Sequence, residues 1–208
     1  MLRPPAKFCR TCGQTLQSRV PTGDDRPRQV CAGCGHIDYD NPTVIVGCLV
    51  ERVRDDDHEI LLCKRAIEPA HGRWTLPAGF LEIGEGLAQG AARETLEEAN
   101  IRVEVTGAHC QLDLPHIGQT YALFAARALE ELTEPGSESL ECRWFAMEQI
   151  PWSELSFPSV HFALQLWQQD RQQRRRRMHT AMVRWSGSGS RWDAGNYALE
   201  AWLQADLR

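Results

Sequence analysis

The chain has 208 residues, is 42% hydrophobic and 25% charged, and carries a net charge of −5. Such a composition is typical of soluble globular proteins, and the length allows one ordinary domain plus a small module. The charge is uneven, because residues 171–208 hold eight Arg against three acidic residues (+5), which leaves −10 on the remainder. An acidic body argues against nucleic acid as the main ligand, since phosphate binding depends on basic patches.

We expect no membrane segment, because no apolar run approaches the ~20 residues that span a bilayer. Residues 1–7 lack the apolar core of a secretory signal and soon reach a cysteine pair. These observations predict a cytoplasmic protein without a membrane partner.

Two Cys-x-x-Cys pairs near the N-terminus, separated by eighteen residues, predict a zinc ribbon over residues 1–40. A glycine follows each pair and permits a tight turn. Four thiolates leave no open coordination position, so the zinc would be structural. Two disulfides are the alternative, which a cytoplasmic location disfavours. The predicted zinc ligands are Cys9, Cys12, Cys31 and Cys34.

Asn41-Pro42 marks a junction, after which β-branched and apolar runs predict a mixture of strands and helices over residues 41–177. Strands are expected at residues 43–50, 60–65, 101–105, 120–126 and 142–145. A helix is expected over residues 159–177, where basic residues at the C-terminal end would complement the helix dipole.

Between these strands, residues 87–92 are mostly good helix formers and lead into Glu94, Glu97 and Glu98. On a helix Glu94 neighbours both other acids, and like charges at this spacing destabilise it by about 0.2–0.5 kcal/mol per pair. A solvated acidic face is one interpretation. A hard divalent cation held by carboxylate oxygens is the other.

The wider pattern favours the cation. Gly79, Glu85, Arg93-Glu94 and Glu97-Glu98 occur at the spacing of a signature that resembles the Nudix hydrolase superfamily. Two specified positions depart from it, Thr95 replacing an apolar residue and Asn100 replacing Gly. Both are mild, since Thr keeps a methyl group and Asn tolerates the left-handed conformation that ends a helix. The resemblance implies an α/β fold, the Nudix α/β/α sandwich with a mixed sheet.

It also implies Mg²⁺- or Mn²⁺-dependent hydrolysis of a diphosphate bond in a nucleoside diphosphate-linked compound. Carried over by position, Glu94 and Glu98 are the principal metal ligands, and Glu97 is a further ligand or a base for the attacking water. The Ala78 carbonyl is an additional ligand. Arg93 and Glu85 form a structural ion pair that orients the helix against the loop after Gly79.

A further acid in this family often comes from the loop before a later strand, and here Glu138 and Glu141 are available. We favour Glu141 as a catalytic residue, because it adjoins the strand. A solvated loop acid is the alternative interpretation.

The substrate is predicted less directly. A zinc ribbon before a Nudix domain is similar to the NADH pyrophosphatases, but residues 111–121 lack their Ser-Gln-Pro-Trp-Pro-Phe-Pro-x-Ser array. The chain looks closer to plant FAD and ADP-ribose pyrophosphatases, which implies a small nucleotide substrate and release of AMP. Tyr121 or Phe124 could stack on adenine or could pack in the core.

The tail, residues 178–208, has no assigned role. Residues 186–190 read as a flexible linker, and residues 197–203 predict a short amphipathic helix. The arginine run 174–177 fits a solvated helix end, or a contact with nucleic acid or membrane. The resemblance implies a homodimer as a common state. A non-catalytic nucleotide sensor associated with RNA is a second functional class, which the intact acids disfavour.

Overall fold

The computed structural model describes residues 4–54 and 57–206, and it divides into two compact units, Met1–Pro42 and Thr43–Arg208. The first unit contains a three-stranded antiparallel sheet in the order β1-β2-β3. Its strands are β1 (Leu16–Arg19), β2 (Arg28–Cys31) and β3 (Ile37–Asp38). Cys9, Leu16 and Cys31 form its small buried cluster.

The second unit is built on a nine-stranded sheet. Its strands are β4 (Thr43–Arg54), β5 (Asp57–Arg65), β6 (Trp74–Thr75), β7 (Ala78–Phe80), β8 (Val103–Leu114), β9 (Gln119–Ala128), β10 (Ser139–Ala146), β11 (Arg177–Trp185) and β12 (Tyr197–Asp206). The order is β10-β5-β4-β9-β8-β11-β12, with β6 paired to β5 and β7 paired to β4. The sheet is mixed, because β4 pairs with β9 and β8 with β11 in parallel, while the other pairs are antiparallel.

One helix covers each face of this sheet. Helix α1 (Leu87–Ala99) packs on a core with Val46, Cys48 and Val50, whereas α2 (Pro158–Gln172) packs on the opposite core. The central strand β4 is buried on both faces, so its apolar run is nearly continuous instead of alternating. The predicted α/β/α sandwich with a mixed sheet, preceded by a small cysteine-rich unit, is confirmed.

Helix α2 ends at Gln172, five residues before the predicted end, because Arg174 turns into the left-handed region and β11 begins at Arg177. No helix in the described ranges combines the length and apolar character needed to cross a membrane.

The predicted helix over residues 197–203 is wrong, because this segment is the edge strand β12, antiparallel to β11. Tyr197 and Leu199 pack towards the core, while Glu200 pairs with Arg184 at 2.7 Å. Strand pairing overrides the helix propensity of Ala, Leu and Glu, which is a weak preference. Residues 178–206, which the sequence left without a role, thus extend the main sheet by two strands.

Candidate metal sites and active site

The four predicted zinc ligands converge in the first unit. Their sulfur atoms all lie within 4.8 Å of one another, and none is in a disulfide. The Cys9–Cys34 and Cys12–Cys31 sulfur atoms are 3.7 Å and 3.5 Å apart. Zinc–sulfur bonds of about 2.3 Å at tetrahedral angles would place sulfurs about 3.8 Å apart, so this donor set fits a structural zinc ion.

The turns that bring these thiols together are local. Gly13 and Gly35 both have positive φ, and their amides donate to the carbonyls of Cys9 and Cys31. The Cys34 amide also donates to the Cys31 sulfur at 3.5 Å, and this bond lowers the pKa of that thiol to about 6. A thiolate is the form that binds metal, so the fold prepares Cys31 for zinc.

The acidic motif forms one helix with sharply defined ends. Gly86 precedes α1 in an extended conformation, and its amide donates to the Gln89 side chain at 2.8 Å. Asn100 ends the helix in the left-handed conformation (φ 48°), which is the role that Gly has at this position of the signature. The Thr95 hydroxyl is buried and donates to the Ala91 carbonyl at 2.8 Å, so both departures are accommodated.

The three acids of the helix differ in burial. Glu98 is 6% exposed and the Glu94 side chain 12%, whereas the Glu97 side chain is 56% exposed. Burial, followed by the neighbouring charge of Glu94, raises the pKa of Glu98 to about 8. Burial also raises the pKa of Glu94. A nearby cation favours the charged form of a carboxyl group, so a bound divalent ion would offset the effect of burial on both acids. Carboxylate oxygens are also the ligands that such hard cations prefer, so the two acids fit a divalent metal ion.

Strand β7 is fitted closely against these acids. A Cβ atom on Gly79 would overlap the carboxylate of Glu94, so a larger residue there would displace that carboxylate. Gly47 on the paired strand β4 likewise leaves room for Ala78, whose Cβ it would otherwise strike. Ala78 and Gly79 are therefore held beside the acids by two close backbone approaches.

Arg93 links the helix to the preceding loop. It donates to both carboxylate oxygens of Glu85, at 3.0 and 2.7 Å, and to the Phe80 carbonyl at 3.1 Å. This bidentate bond lowers the pKa of Glu85 to about 2. The expected pair of Arg93 and Glu85 is present. Arg93 also donates to Glu94 at 2.8 Å and to Glu97 at 3.0 Å, contacts that the motif spacing did not predict.

Of the two candidate loop acids, the structure brings Glu138 towards the motif. Its charge contributes to raising the pKa of both Glu94 and Glu98. The turn that carries it is anchored on α1, since the Gly136 amide donates to the Glu98 carbonyl at 2.9 Å. Glu141 instead accepts from Arg143 at 2.5 Å on strand β10.

A pair of substitutions separates these two acids. We expect Glu138→Gln to lower kcat/KM on the order of 10²-fold, the low end of the effect of a catalytic acid–base group. Glu141→Gln, its matched control, should stay near the wild-type rate. Steady-state kinetics of both variants with one substrate test this, and the reverse ranking would favour Glu141 as the sequence does.

Three residues that sequence reasoning did not select form a line of contacts that starts from the acids at Arg65. Arg65 stacks over the Phe157 ring at 5.2 Å, and its charge acts on Glu98. Phe157 in turn contacts Trp192 from the β11–β12 connection, with ring centroids 5.9 Å apart. These contacts join distant segments, and no spacing in the sequence could reveal them.

The two aromatic residues considered from the sequence have other environments. Phe124 packs against the core beneath α1, and Tyr121 packs against the core beneath α2. The Tyr121 hydroxyl donates to Gln119 at 3.3 Å. The core-packing interpretation therefore describes both rings.

Together, the sandwich, the carboxylate-bearing helix and the four-thiol unit define a class of hydrolase with a zinc ribbon before its catalytic domain. A family model described as "NUDIX domain" matches residues 42–165, and another, described as "Nudix N-terminal", matches residues 7–40. The chain belongs to the Nudix hydrolase family.

The relatives agree with this assignment. A Nudix hydrolase crystal structure from Nitrosomonas europaea is 47% identical, with a TM-score of 0.81, and the match covers 86% of this chain and 99% of that one. The NAD-capped RNA hydrolases NudC of Edwardsiella ictaluri and Haemophilus influenzae are each 31% identical, over 70% and 77% of this chain. The chain spans only 53% and 61% of the length of these two relatives.

Proposed function

We propose that this protein hydrolyses the diphosphate bond of nucleoside diphosphate-linked compounds in the cytoplasm, with FAD or ADP-ribose as substrate and AMP as a product. The observation that carries the proposal is the buried pair Glu94 and Glu98, whose pKa values are both raised. Reduced cysteines placed for zinc support the cytoplasmic location. We also propose that the protein forms a homodimer, and this part of the proposal rests on the family resemblance alone.

Glu94 and Glu98 would hold the Mg²⁺ or Mn²⁺ ion, with the Ala78 carbonyl as an additional ligand. When bound, such an ion neutralises charge on phosphate oxygens and lowers the pKa of the attacking water. Glu97 is exposed and paired with Arg93. It would act as a further metal ligand, or as a base for the attacking water, once its carboxylate has left Arg93. Arg93 and Glu85 position the helix, and Gly79 allows β7 to approach it.

The nucleotide base would lie against Phe157 and Trp192. Trp192 is 40% exposed, so part of its ring is available to a ligand, and Arg65 supplies a cation between these rings and the acids. Stacking on an aromatic ring is tolerant of base identity. This arrangement supports a dinucleotide or nucleotide sugar as the substrate.

We expect Trp192→Ala to raise KM at least about five-fold with little change in kcat, because stacking contributes about 1–3 kcal/mol per base. Steady-state kinetics with FAD or ADP-ribose measure this effect. Trp192→Phe keeps an aromatic ring and should remain near the wild type. Equal KM values for the Ala variant and the wild type would remove Trp192 from the substrate site.

The names of the relatives support hydrolysis of an NAD cap on RNA as a second candidate, and the resemblance to zinc-ribbon NADH pyrophosphatases adds NADH to it. A single experiment ranks the candidates: the purified protein with Mg²⁺ or Mn²⁺ is incubated with FAD, ADP-ribose, NADH and NAD-capped RNA, and products are separated. Preferential AMP release from FAD or ADP-ribose supports the first proposal. Preference for NADH or the capped RNA supports the second, and cleavage of none contradicts both.

A further inference from the structure

A cleft lies at the C-terminal end of α2, in the same unit but away from the acids of α1. It is lined by His58, Asp170, Arg171, Arg174, Arg175 and Arg176, and we call it the arginine cleft. Its volume is about 720 Å³, which is enough for a nucleotide-sized anion.

Two of the charges in the arginine cleft are already compensated. Asp170 accepts from Arg177 at 2.7 Å and lies 3.1 Å from His179, so its carboxylate is directed inward. Arg171 is paired with both oxygens of Glu51. The charges of Asp170 and Arg171 are therefore neutralised within the protein and are not available to a ligand.

Among the residues that the structure describes, three guanidinium groups of the arginine cleft lack an acidic partner. Arg176 donates to the Thr106 hydroxyl at 2.7 Å, a neutral partner. Arg174 and Arg175 are exposed, and neither has an acidic partner within 4.0 Å among the described residues. An acidic protein thus keeps three adjacent cations together, where their mutual repulsion is unfavourable unless an anion binds.

The backbone gives an independent reason to assign a role to Arg174. Its φ is +51°, its amide donates to the Arg171 carbonyl, and the next amide donates to the Asp170 carbonyl at 2.9 Å. This pair of bonds is the Schellman motif, in which Gly is the usual residue at the left-handed position. An Arg there is less stable than Gly would be, so stability does not explain the side chain.

We propose that the arginine cleft binds phosphate groups. Guanidinium groups match phosphate oxygens in bidentate geometry. The site is separate from the acids, because α2 has fifteen residues and is about 22 Å long, and Phe157, next to Arg65, precedes its other end. The proposal does not depend on which diphosphate compound the protein cleaves.

The test uses the whole 208-residue chain. No divalent metal is added, so that a metal ion at the acids of α1 cannot itself bind the phosphate. A fluorescent single-stranded RNA oligonucleotide is titrated by anisotropy at several salt concentrations, and inorganic pyrophosphate is then tested as a competitor. The variant is Arg174→Gly with Arg175→Gln. The charge-matched control is Arg19→Gln with Arg184→Gln, both exposed and outside the arginine cleft.

We expect the variant to weaken oligonucleotide binding at least ten-fold and the control to bind like the wild type. Three phosphate contacts predict that the logarithm of the binding constant falls with the logarithm of salt concentration with a slope of about −2. In the variant one contact remains, so the slope should become shallower, about −0.7. The melting temperature of Arg174→Gly alone should equal or exceed that of the wild type, which shows that the loss is not misfolding.

The two probes distinguish the source of the phosphate. Pyrophosphate could displace the oligonucleotide at concentrations far below the sodium chloride concentration that displaces it. That result would identify a site for small phosphate compounds. Displacement only at matching ionic strength would identify an extended phosphate backbone. Equal binding by the variant and its control, or no binding of either probe to the wild type, would overturn the proposal.

Discussion

Glu98→Gln should abolish turnover, on the order of 10³-fold, while the protein stays folded. Loss of a metal ligand removes several kcal/mol of transition-state stabilisation, and each 1.36 kcal/mol is a factor of ten in rate. Gln has the shape of Glu but no charge, so the burial that raises the pKa of Glu98 to about 8 no longer opposes folding. The melting temperature should therefore stay the same or rise.

Initial rates with saturating Mg²⁺, together with thermal unfolding followed by circular dichroism, measure both effects. Glu104→Gln is a suitable control, because Glu104 is an exposed acid that pairs with Arg127 across the sheet. It should leave the rate unchanged. A Glu98→Gln protein that retained most of its activity would exclude Glu98 from the metal site.

Cys31→Ser should release zinc and unfold the first unit. Cys31 is fully buried, and among the described residues its cluster contains Cys9 and Leu16 besides itself. With so little apolar burial, metal binding supplies much of the folding energy, about 10–16 kcal/mol in comparable zinc peptides. We expect zinc content to fall from about one ion per chain to near zero, since three remaining thiolates bind far more weakly.

Elemental analysis of the purified variant measures zinc, and limited proteolysis shows whether residues 4–42 become accessible. Cys142→Ser is the matched control, because Cys142 lies 3.6 Å from Cys63 in the second unit and has no part in the cluster. Full zinc occupancy in the Cys31→Ser protein would contradict a four-cysteine site.

The local part of the site was predictable from sequence. Helical periodicity alone places Glu94 beside Glu98, and the positive φ of Asn100 follows from its position after the last helical turn. The Cys-x-x-Cys spacing similarly predicts the converging thiols, since each pair needs only a short turn.

The non-local part was not predictable in this way. Burial separates Glu98 from Glu97, one residue apart, because the Glu98 carboxyl reaches the Ala78 backbone on strand β7 whereas the Glu97 side chain stays exposed. The approach of Glu138 to Glu94 and Glu98 depends on the turn at Gly136, whose amide donates to the Glu98 carbonyl. Phe157 and Trp192 meet across distant segments, and the parallel pairing of β11 with β8 precedes the connection that carries Trp192. No local signal in residues 178–206 specifies that pairing.

The last two strands bear on where the catalytic domain ends. The family pattern stops at residue 165, yet Leu166, Trp167, Ala181 and Val183 are buried beyond that point in the core that α2 covers. A fragment cut at the family boundary would shorten α2, expose this apolar surface and leave the long strand β8 as an open edge, a known cause of aggregation. The recognisable family sequence is thus shorter than the segment that folds.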